Sequence, residues 1–129
     1  MAKISRDDIK KHGFKRFVKS FGYSIDGLKY AYKYEQSMMI HVFVTICVIA
    51  VNIFFHVKGI EWLISLMAIG MVLSAELVNT AIEAVVDLVT LEIHPLAKIA
   101  KDCGSAATFV IFIVTVILNI IIFLPKIAF

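Results

Sequence analysis

Residues 74–87 read SAELVNTAIEAVVD, and the interpretation of the whole chain starts from this stretch. Its main polar side chains are Glu76, Asn79, Glu83 and Asp87, at spacings of 3, 4 and 4 residues. Because successive helical residues are rotated by about 100°, these four side chains fall on one face of a helix. The positions between them are Ala, Val, Ile, Leu and Thr. The sequence therefore predicts an apolar helix with one acidic stripe, the name used below for these four residues.

The acidic stripe directly follows an apolar run, residues 60–73, which is broken only by Glu61 and Ser65. A carboxylate within a membrane segment is destabilising by at least ~2.5 kcal/mol. A divalent metal, a polyphosphate with its metal, or a proton path could offset this term. The alternative is that the span ends near Leu73 and the acids lie on a solvated continuation of the helix. The apolar side chains around the acids, such as Val85, favour the first interpretation.

Composition indicates an integral membrane protein with a single domain, residues 1–129. Hydrophobic residues make up 60% of the chain, and the mean hydropathy is +0.90. The apolar runs are long and do not alternate with polar residues, which favours helices over a barrel. Three membrane helices are predicted, over residues 38–57, 60–89 and 104–124. No cleavable signal is expected, since the first apolar run starts late in the chain.

The N-terminal part is strongly basic, since nine of the 13 Lys and Arg residues precede residue 34. Apolar side chains recur there every three to five residues. This pattern predicts a basic amphipathic helix on the membrane surface, from about residue 6, broken at Gly22 and continued by a second short helix to Glu35. The alternative is a disordered basic tail, chiefly over the first eight residues. Either form is expected to contact an anionic lipid surface rather than nucleic acid.

Isolated polar residues and prolines mark further features of the chain. His41 and Asn52 lie within the first predicted span and are expected to bond neighbouring helices, as polar residues in membrane helices generally do. Residues 90–102 form a polar loop, in which Pro95 suits the first position of a short helix. Pro125 is expected to end the third span.

The distribution of basic residues predicts the orientation in the membrane. The second loop carries Lys98 and Lys101 in addition to the basic N-terminal arm, whereas the first loop carries Lys58 and the C-terminus Lys126. The positive-inside rule therefore places the N-terminus and the second loop in the cytoplasm and the C-terminus outside. The acidic stripe then opens to the cytoplasm, where nucleotide and Mg²⁺ are found.

The acids are suited to phosphoryl transfer. Mg²⁺ commonly takes one or two carboxylates together with phosphate oxygens, and Glu35 and Glu83 could supply that pair. Glu76 lies ~10 Å deeper along the helix axis than Glu83. At that depth it could act as general base on a lipid hydroxyl. The patterns GxxxxGK[ST] and GxGxxG do not occur in the sequence, so a nucleotide site would be of another kind. Three basic residues could cover phosphate charge: Arg16, His94 and Lys101.

The motif ExxNxAxExxxD at residues 76–87, followed by His94 and by Ala100-Lys101-Asp102, resembles the small bacterial integral-membrane lipid kinases. These form the diacylglycerol kinase and undecaprenol kinase family, and the resemblance covers nearly the whole chain. It implies an all-α bundle with a surface helix and three membrane helices per protomer. It further implies a homotrimer in the bacterial cytoplasmic membrane, with sites shared between neighbouring protomers.

The resemblance also implies roles for individual residues. Glu76 matches the proton acceptor, and Glu35 and Glu83 match the acids that bind Mg²⁺. Positions around ATP are matched by Arg16, Tyr23, Glu35, Asn79, Glu83, Glu92, His94, Lys101 and Asp102. Positions near the lipid substrate are matched by Glu76, Ser105 and Trp62.

The sequence favours undecaprenol as the lipid, with diacylglycerol as the alternative. The segments IEW at 60–62, HPLAK at 94–98 and FLPK at 123–126 resemble the undecaprenol branch, whereas CGSAA at 103–107 resembles the diacylglycerol branch. Both lipids present a primary hydroxyl at the headgroup level. A non-enzymatic alternative is a proton or cation carrier, but residues 63–73 offer only Ser65 as a polar group on the other half of the second span.

Overall fold

The computed structural model describes residues 13–128, and in this part of the chain the secondary structure is all helical, without strands. Three of its helices are long and apolar enough to cross a membrane, and they follow an amphipathic first helix. The prediction of an all-α protein with three membrane helices is thereby confirmed. In chain order the helices are α1 (Phe14–Tyr34), α2 (Gln36–Phe54), α3 (Ile60–Val89) and α4 (Pro95–Ile127).

Helix α1 is continuous, so the predicted break at Gly22 is wrong. A glycine within a helix is destabilising by about 1 kcal/mol relative to alanine, which does not interrupt a helix whose amphipathic pattern continues on both sides. Phe14, Phe17 and Phe21 lie on one face of α1 and are exposed, as expected of a helix that rests on a membrane surface. The first part of the predicted surface helix, residues 6–12, lies outside the described residues.

A single extended residue, Glu35, joins α1 to α2. Its backbone (φ −101°, ψ 111°) ends one helix and begins the next. Its N–H donates to the carbonyl of Ala31 at 2.9 Å, and the Ala31 side chain is fully buried. The end of α1 therefore packs against the bundle, and the Glu35 side chain is held at the point where the surface helix meets the membrane helices.

Helices α3 and α4 form the closest-packed pair, and they run antiparallel. Ion pairs join them near both ends: Lys101 Nζ lies 2.6 Å from Asp87 Oδ1, and Lys126 Nζ lies 2.8 Å from Glu61 Oε2. Between α2 and α3 the chain reverses within five residues. His56 (φ 52°) and Gly59 (φ 59°) adopt left-handed backbone conformations in this turn.

Helix α4 begins earlier than predicted and includes the proposed short helix. Pro95 occupies its first turn, and the Nδ1 atom of His94 accepts a hydrogen bond from the Leu96 N–H at 3.2 Å. An ion pair between Lys98 and Asp102, one turn apart, supports the segment before Gly104. The prediction of a separate short helix is therefore wrong, because no residue in this segment breaks the helix.

Pro125 does not end α4, which continues to Ile127. The prediction that it would end the helix is wrong for a local reason. A proline removes one N–H and clashes with the preceding turn, but here it lies in the last turn, where only one helical hydrogen bond is lost.

A buried polar network links all three membrane helices in the half of the bundle away from the acidic stripe. Asn52 Nδ2 donates to Ser65 Oγ at 2.8 Å, and Ser65 Oγ donates to Asn119 Oδ1 at 3.2 Å. Asn119 Nδ2 in turn donates to the Thr115 carbonyl at 2.8 Å. The expectation that Asn52 bonds a neighbouring helix is thus confirmed, and the network fixes how the three helices pack in this half.

Candidate active site

An open cleft of about 290 Å³ lies where α1 joins the bundle, between α2, α3 and α4. We call it the acidic cleft. It brings together three carboxylates from two separate parts of the sequence, one from the turn before α2 and two from α3. Its lining residues are Glu35, Ser37, His41, Glu76, Asn79, Glu83, Ser105, Thr108, Phe109 and Phe112.

Glu76 lies at the inner end of the acidic cleft, and its side chain is 4% exposed. The Ser37 hydroxyl donates a hydrogen bond to its Oε1 atom. His41 Nε2 lies 3.8 Å from its Oε2 atom, which is too long for a direct hydrogen bond. Two residues one helical turn apart on α2 therefore face the two oxygens of this carboxylate, and Ser37 is the one that bonds it directly. Thr80 Oγ1 donates to the Glu76 backbone carbonyl at 3.0 Å and supports the helix below it.

Asn79 and Glu83 occupy the middle of the acidic cleft. Asn79 Nδ2 donates to Glu83 Oε1 at 3.0 Å, which orients the carboxylate. Asn79 Oδ1 is buried, has no hydrogen-bond partner among the described residues, and lies against the backbone of Gly104. A Cβ atom at Gly104 would overlap this oxygen. Glycine is therefore required at this point of α4 for Asn79 to keep its position.

Glu35, in the turn between α1 and α2, is the third carboxylate of the acidic cleft. Its pKa is raised above the usual value, first because burial disfavours the charged form and then because the carboxylates of Glu83 and Glu76 repel it. Oxygen ligands of this kind suit a hard divalent cation, whose charge would relieve the repulsion. No group of three or more His, Cys, Asp or Glu side chains within residues 13–128 could hold a metal. A cation bound by these acids would therefore need further ligands, such as phosphate oxygens.

A second open cleft, of about 360 Å³, surrounds the turn between α3 and α4. We call it the loop cleft. Lys101 closes one side through its ion pair with Asp87 at 2.6 Å, and Asp102 pairs with Lys98. Glu92 is fixed in the turn because its N–H donates to Thr90 Oγ1 at 3.1 Å. Four of the predicted ATP positions are thus brought together here: Glu92, His94, Lys101 and Asp102.

Three of the predicted site residues lie outside both clefts. Arg16 and Tyr23 are on α1, and the Tyr23 side chain is 69% exposed. Trp62 lies in the first turn of α3, fourteen residues before Glu76, which is ~21 Å along the helix axis. Within one chain, Trp62 is therefore near the opposite end of the bundle from the acidic cleft. Ser105, by contrast, lines that cleft.

The sequence reasoning missed Ser37 as a site residue and treated His41 as structural. Both contact Glu76, and both are on α2, four residues apart. The signal that could have indicated them is this spacing, because residues at i and i+4 share a helical face. They follow Glu35, a predicted site residue, by two and six residues.

The two clefts define a class of site: a buried carboxylate at membrane depth, two further acids nearer the surface, and basic side chains beside a polar turn. The comparison with protein families gives this class a name. The model for prokaryotic diacylglycerol kinase matches residues 22–123. The chain therefore belongs to the prokaryotic diacylglycerol kinase family, and it is a bacterial membrane lipid kinase. The kinase family implies ATP as co-substrate.

Individual relatives carry two different lipid names. The chain is 39% identical over 111 residues to an undecaprenol kinase of Bacillus subtilis, covering 86% of this chain and 90% of that protein. It is 41% identical over 98 residues to a diacylglycerol kinase of Pseudomonas aeruginosa, covering 76% and 80%. It is 35% identical over 105 residues to a diacylglycerol kinase of Escherichia coli, covering 81% and 86%. Both names occur at similar levels of identity.

Proposed function

We propose that this protein transfers the γ-phosphoryl group of ATP to the primary hydroxyl of undecaprenol. The observation that carries the proposal is the position of Glu76, a buried carboxylate at the inner end of the acidic cleft with two further carboxylates on its open side. A buried carboxylate can take a proton from a lipid alcohol at membrane depth, while the outer acids serve the charged co-substrate.

Glu35 and Glu83 would hold Mg²⁺ together with phosphate oxygens of ATP, and the bound ion would neutralise charge that develops on the transferred group. Asn79 orients Glu83 through its hydrogen bond. Lys101 and His94, in the loop cleft, lie at the same end of the bundle and supply positive charge and hydrogen-bond donors for the phosphates and nucleotide. Arg16, Tyr23, Glu92 and Asp102 are proposed as further ATP contacts.

The reaction forms one bond and breaks another at the γ-phosphorus. The lipid hydroxyl oxygen attacks the γ-phosphorus, and the bond from phosphorus to the oxygen bridging the β- and γ-phosphates breaks. The hydroxyl proton passes to the Glu76 carboxylate, and ADP and the lipid monophosphate leave. Ser37 and His41 orient the carboxylate for this transfer, because each faces one of its two oxygens.

We favour undecaprenol over other lipid alcohols as the substrate because of three sequence segments that lie apart from the acidic residues. The segments at 60–62, 94–98 and 123–126 resemble the undecaprenol branch, and the relative named undecaprenol kinase aligns with 86% of the chain. Diacylglycerol is the second candidate. It is favoured by the segment CGSAA at residues 103–107, from which Ser105 lines the acidic cleft beside the position proposed for the lipid hydroxyl.

We propose that the protein acts as a homotrimer with its N-terminus and the loop cleft in the cytoplasm and its C-terminus outside. The basic arm supports this orientation. Large apolar side chains are exposed on all three membrane helices, which leaves ample surface for contacts with lipid and with further copies. Arg16 and Tyr23 lie outside both clefts of their own chain and would contribute to ATP binding on a neighbour.

The choice of lipid is tested by a competition assay. The purified protein, in mild detergent with added lipid, receives Mg²⁺ and labelled ATP with undecaprenol, with diacylglycerol, or with both. The proposal predicts that undecaprenol is labelled in preference when both are present, and that chelation of Mg²⁺ stops labelling. Preferential labelling of diacylglycerol would contradict the proposed substrate, and residues 103–107 would then be the first candidates for specificity. Labelling of neither lipid would contradict the kinase proposal and favour the alternative of a proton or cation carrier.

A further inference from the structure

Thr108, on α4, carries a buried hydroxyl that makes no hydrogen bond. The residue is 6% exposed, and its Oγ1 atom has no partner among the described residues. Buried hydroxyls are nearly always bonded in folded proteins, because an unpaired one is destabilising. Thr80 follows this rule by donating to the Glu76 carbonyl at 3.0 Å. The Thr108 hydroxyl therefore lacks a partner that the described part of the chain does not supply.

The register of α3 and α4 places Thr108 at the depth of Glu76. Asn79 lies against Gly104, and Thr115 Oγ1 donates to the carbonyl of residue 68 at 3.5 Å. These two contacts are 11 residues apart on each of the two antiparallel helices. Thr108 is one helical turn beyond Gly104, so it is level with residue 75 of α3, which directly precedes Glu76.

Thr108 also lies on the face of α4 that borders the acidic cleft. Ser105, Thr108 and Phe112 follow one another at spacings of 3 and 4 residues, so they share one helical face. All three line the cleft together with Glu76. Ser105 is exposed and lies ~4.5 Å nearer the surface along the axis. Thr108 is therefore the α4 hydroxyl of this cleft that is closest in depth to the proposed base.

The Thr108 hydroxyl can turn towards the cleft without losing a contact. A threonine side chain moves between staggered rotamers, in which the hydroxyl and the methyl group exchange places, and threonine in a helix uses two of them. Because Oγ1 makes no hydrogen bond to the described residues, this rotation breaks none. The hydroxyl is thus free to donate to a group that enters the cleft.

We propose that Thr108 binds the reacting hydroxyl of the lipid substrate. Its O–H donates a hydrogen bond to the lipid oxygen, while the lipid O–H donates to the Glu76 carboxylate. This inference rests on the proposed function and adds the residue that orients the acceptor alcohol. An alcohol oxygen has two lone pairs, of which one accepts from Thr108 and the other faces the γ-phosphorus.

The contact with Thr108 fixes the direction of attack. During transfer the proton of the lipid hydroxyl passes to Glu76, and the second lone pair forms the new bond to the γ-phosphorus. Thr108 keeps its own proton throughout, so it acts by orientation and not as acid or base. A hydrogen bond to Glu76 alone would leave the alcohol free to turn about that bond, whereas two contacts hold its oxygen in one orientation.

The test removes this hydroxyl with little change of shape. Thr108→Val is nearly isosteric, Thr108→Ser retains the hydroxyl, and Thr115→Val is the matched control, the same change on the same helix outside the acidic cleft. Each protein phosphorylates undecaprenol and, separately, diacylglycerol. Thr108→Val should lower kcat/KM for the lipid about tenfold, as expected for one lost hydrogen bond, with KM for ATP unchanged. Thr108→Ser should keep most of the rate, and Thr115→Val should behave as wild type.

Thermal unfolding separates this role from a structural one. Since the Thr108 hydroxyl is unpaired in the free protein, Thr108→Val should unfold in detergent at the same temperature as wild type or a higher one. A lower unfolding temperature, with a rate that Thr108→Ser does not restore, would show a structural role and overturn the inference. Thr108→Ala replaces Thr108→Val if that variant does not fold.

Binding without ATP separates a lipid partner from a bound water. Undecaprenol competes with the hydrocarbon of the same length that lacks the hydroxyl, and the wild type should prefer the alcohol. Thr108→Val should reduce this preference about tenfold. An unchanged preference would assign the Thr108 hydroxyl to water and overturn the inference. Equal lipid kcat/KM in wild type and Thr108→Val would also overturn it while the proposed function stood. If the wild type phosphorylated neither lipid, the proposed function itself would fail, and this inference with it.

Discussion

Glu76, Glu83 and Asp87 carry the same functional group on one face of α3, yet their surroundings differ. Glu76 is buried and bonded to Ser37 of α2, Glu83 is half-buried and bonded to Asn79, and Asp87 is exposed and paired with Lys101. Burial thus decreases along the stripe from the membrane interior outwards. This gradient supports the proposal that the deepest acid meets the lipid and the middle one meets the metal and phosphates.

The proposed roles of Glu35 and Glu83 can be tested by measuring how much Mg²⁺ each variant requires for activity. Glu83→Gln and Glu35→Gln each remove a charged ligand, so the Mg²⁺ concentration for half-maximal activity should rise by about tenfold or more in each. Asp26→Asn is the control, since Asp26 is exposed on α1 and away from both clefts. Mg²⁺ titration of ATP-dependent lipid phosphorylation gives the comparison. Unchanged titration curves in both glutamine variants would mean that the ligand assignment is wrong.

Substitution of Gly104 is expected to lower kcat as strongly as substitution of an acidic residue, although glycine has no side chain. Gly104→Ala would push Asn79 away from α4 and disturb its bond to Glu83. A displacement of about 1 Å near a reacting group can lower the rate by up to about 100-fold, so kcat should fall strongly with little change in folding. Gly70→Ala is the matched control, because a Cβ there meets no described atom within 4 Å. Equal kcat in the two variants would contradict the close approach.

Polar contacts join the three membrane helices in one half of the bundle, and the acidic cleft lies between them in the other half. Ser65 donates one hydrogen bond and accepts another in the first half. Ser65→Ala should therefore lower stability by about 1 kcal/mol or more while leaving kcat nearly unchanged, since hydrogen bonds between membrane helices contribute modestly. Thermal unfolding in detergent measures the loss, with Ser74→Ala as an exposed control on the same helix. A loss of activity without a loss of stability would contradict a purely structural network.

For the helices, the sequence predicted the acidic stripe and the number of membrane spans. The first depends on local spacing and the second on long apolar runs. It did not predict that α1 continues through Gly22 or that α4 begins at Pro95, because a single glycine or a helix-starting proline has different effects in different contexts. The roles of Ser37 and His41 could not be predicted, because they depend on which face of α2 turns towards α3. That choice is made by packing between helices far apart in sequence.

For the whole molecule, the interior of one chain is small relative to its apolar surface. The largest fully buried side chains among the described residues are Met38, Asn52 and Ser65, and two of these are polar. A single chain therefore offers little apolar core of its own. The remaining apolar faces are available to lipid and to other protomers, in keeping with the proposed trimer.

Mixing inactive variants tests which parts of the site are shared between protomers. Glu35 and Glu76 line one cleft within one chain, so at a Mg²⁺ concentration too low to support Glu35→Gln, mixed oligomers of Glu35→Gln and Glu76→Gln should remain inactive. Arg16 lies outside that cleft, so mixing Arg16→Ala with Glu76→Gln should restore about one quarter of the wild-type rate if subunits assemble at random. Restoration in the first mixture would show that the acids come from different chains. No restoration in the second would contradict sharing through α1.

The most direct measurement of the central claim compares wild type with Glu76→Gln in one lipid phosphorylation assay. Both proteins receive Mg²⁺, labelled ATP and undecaprenol, and nucleotide binding and oligomer size are measured on the same samples. We expect Glu76→Gln to bind nucleotide and assemble as wild type does, but to transfer phosphate at least about 100-fold more slowly. A variant that keeps a near-normal rate would contradict the assignment of Glu76 as the base that accepts the proton of the lipid hydroxyl.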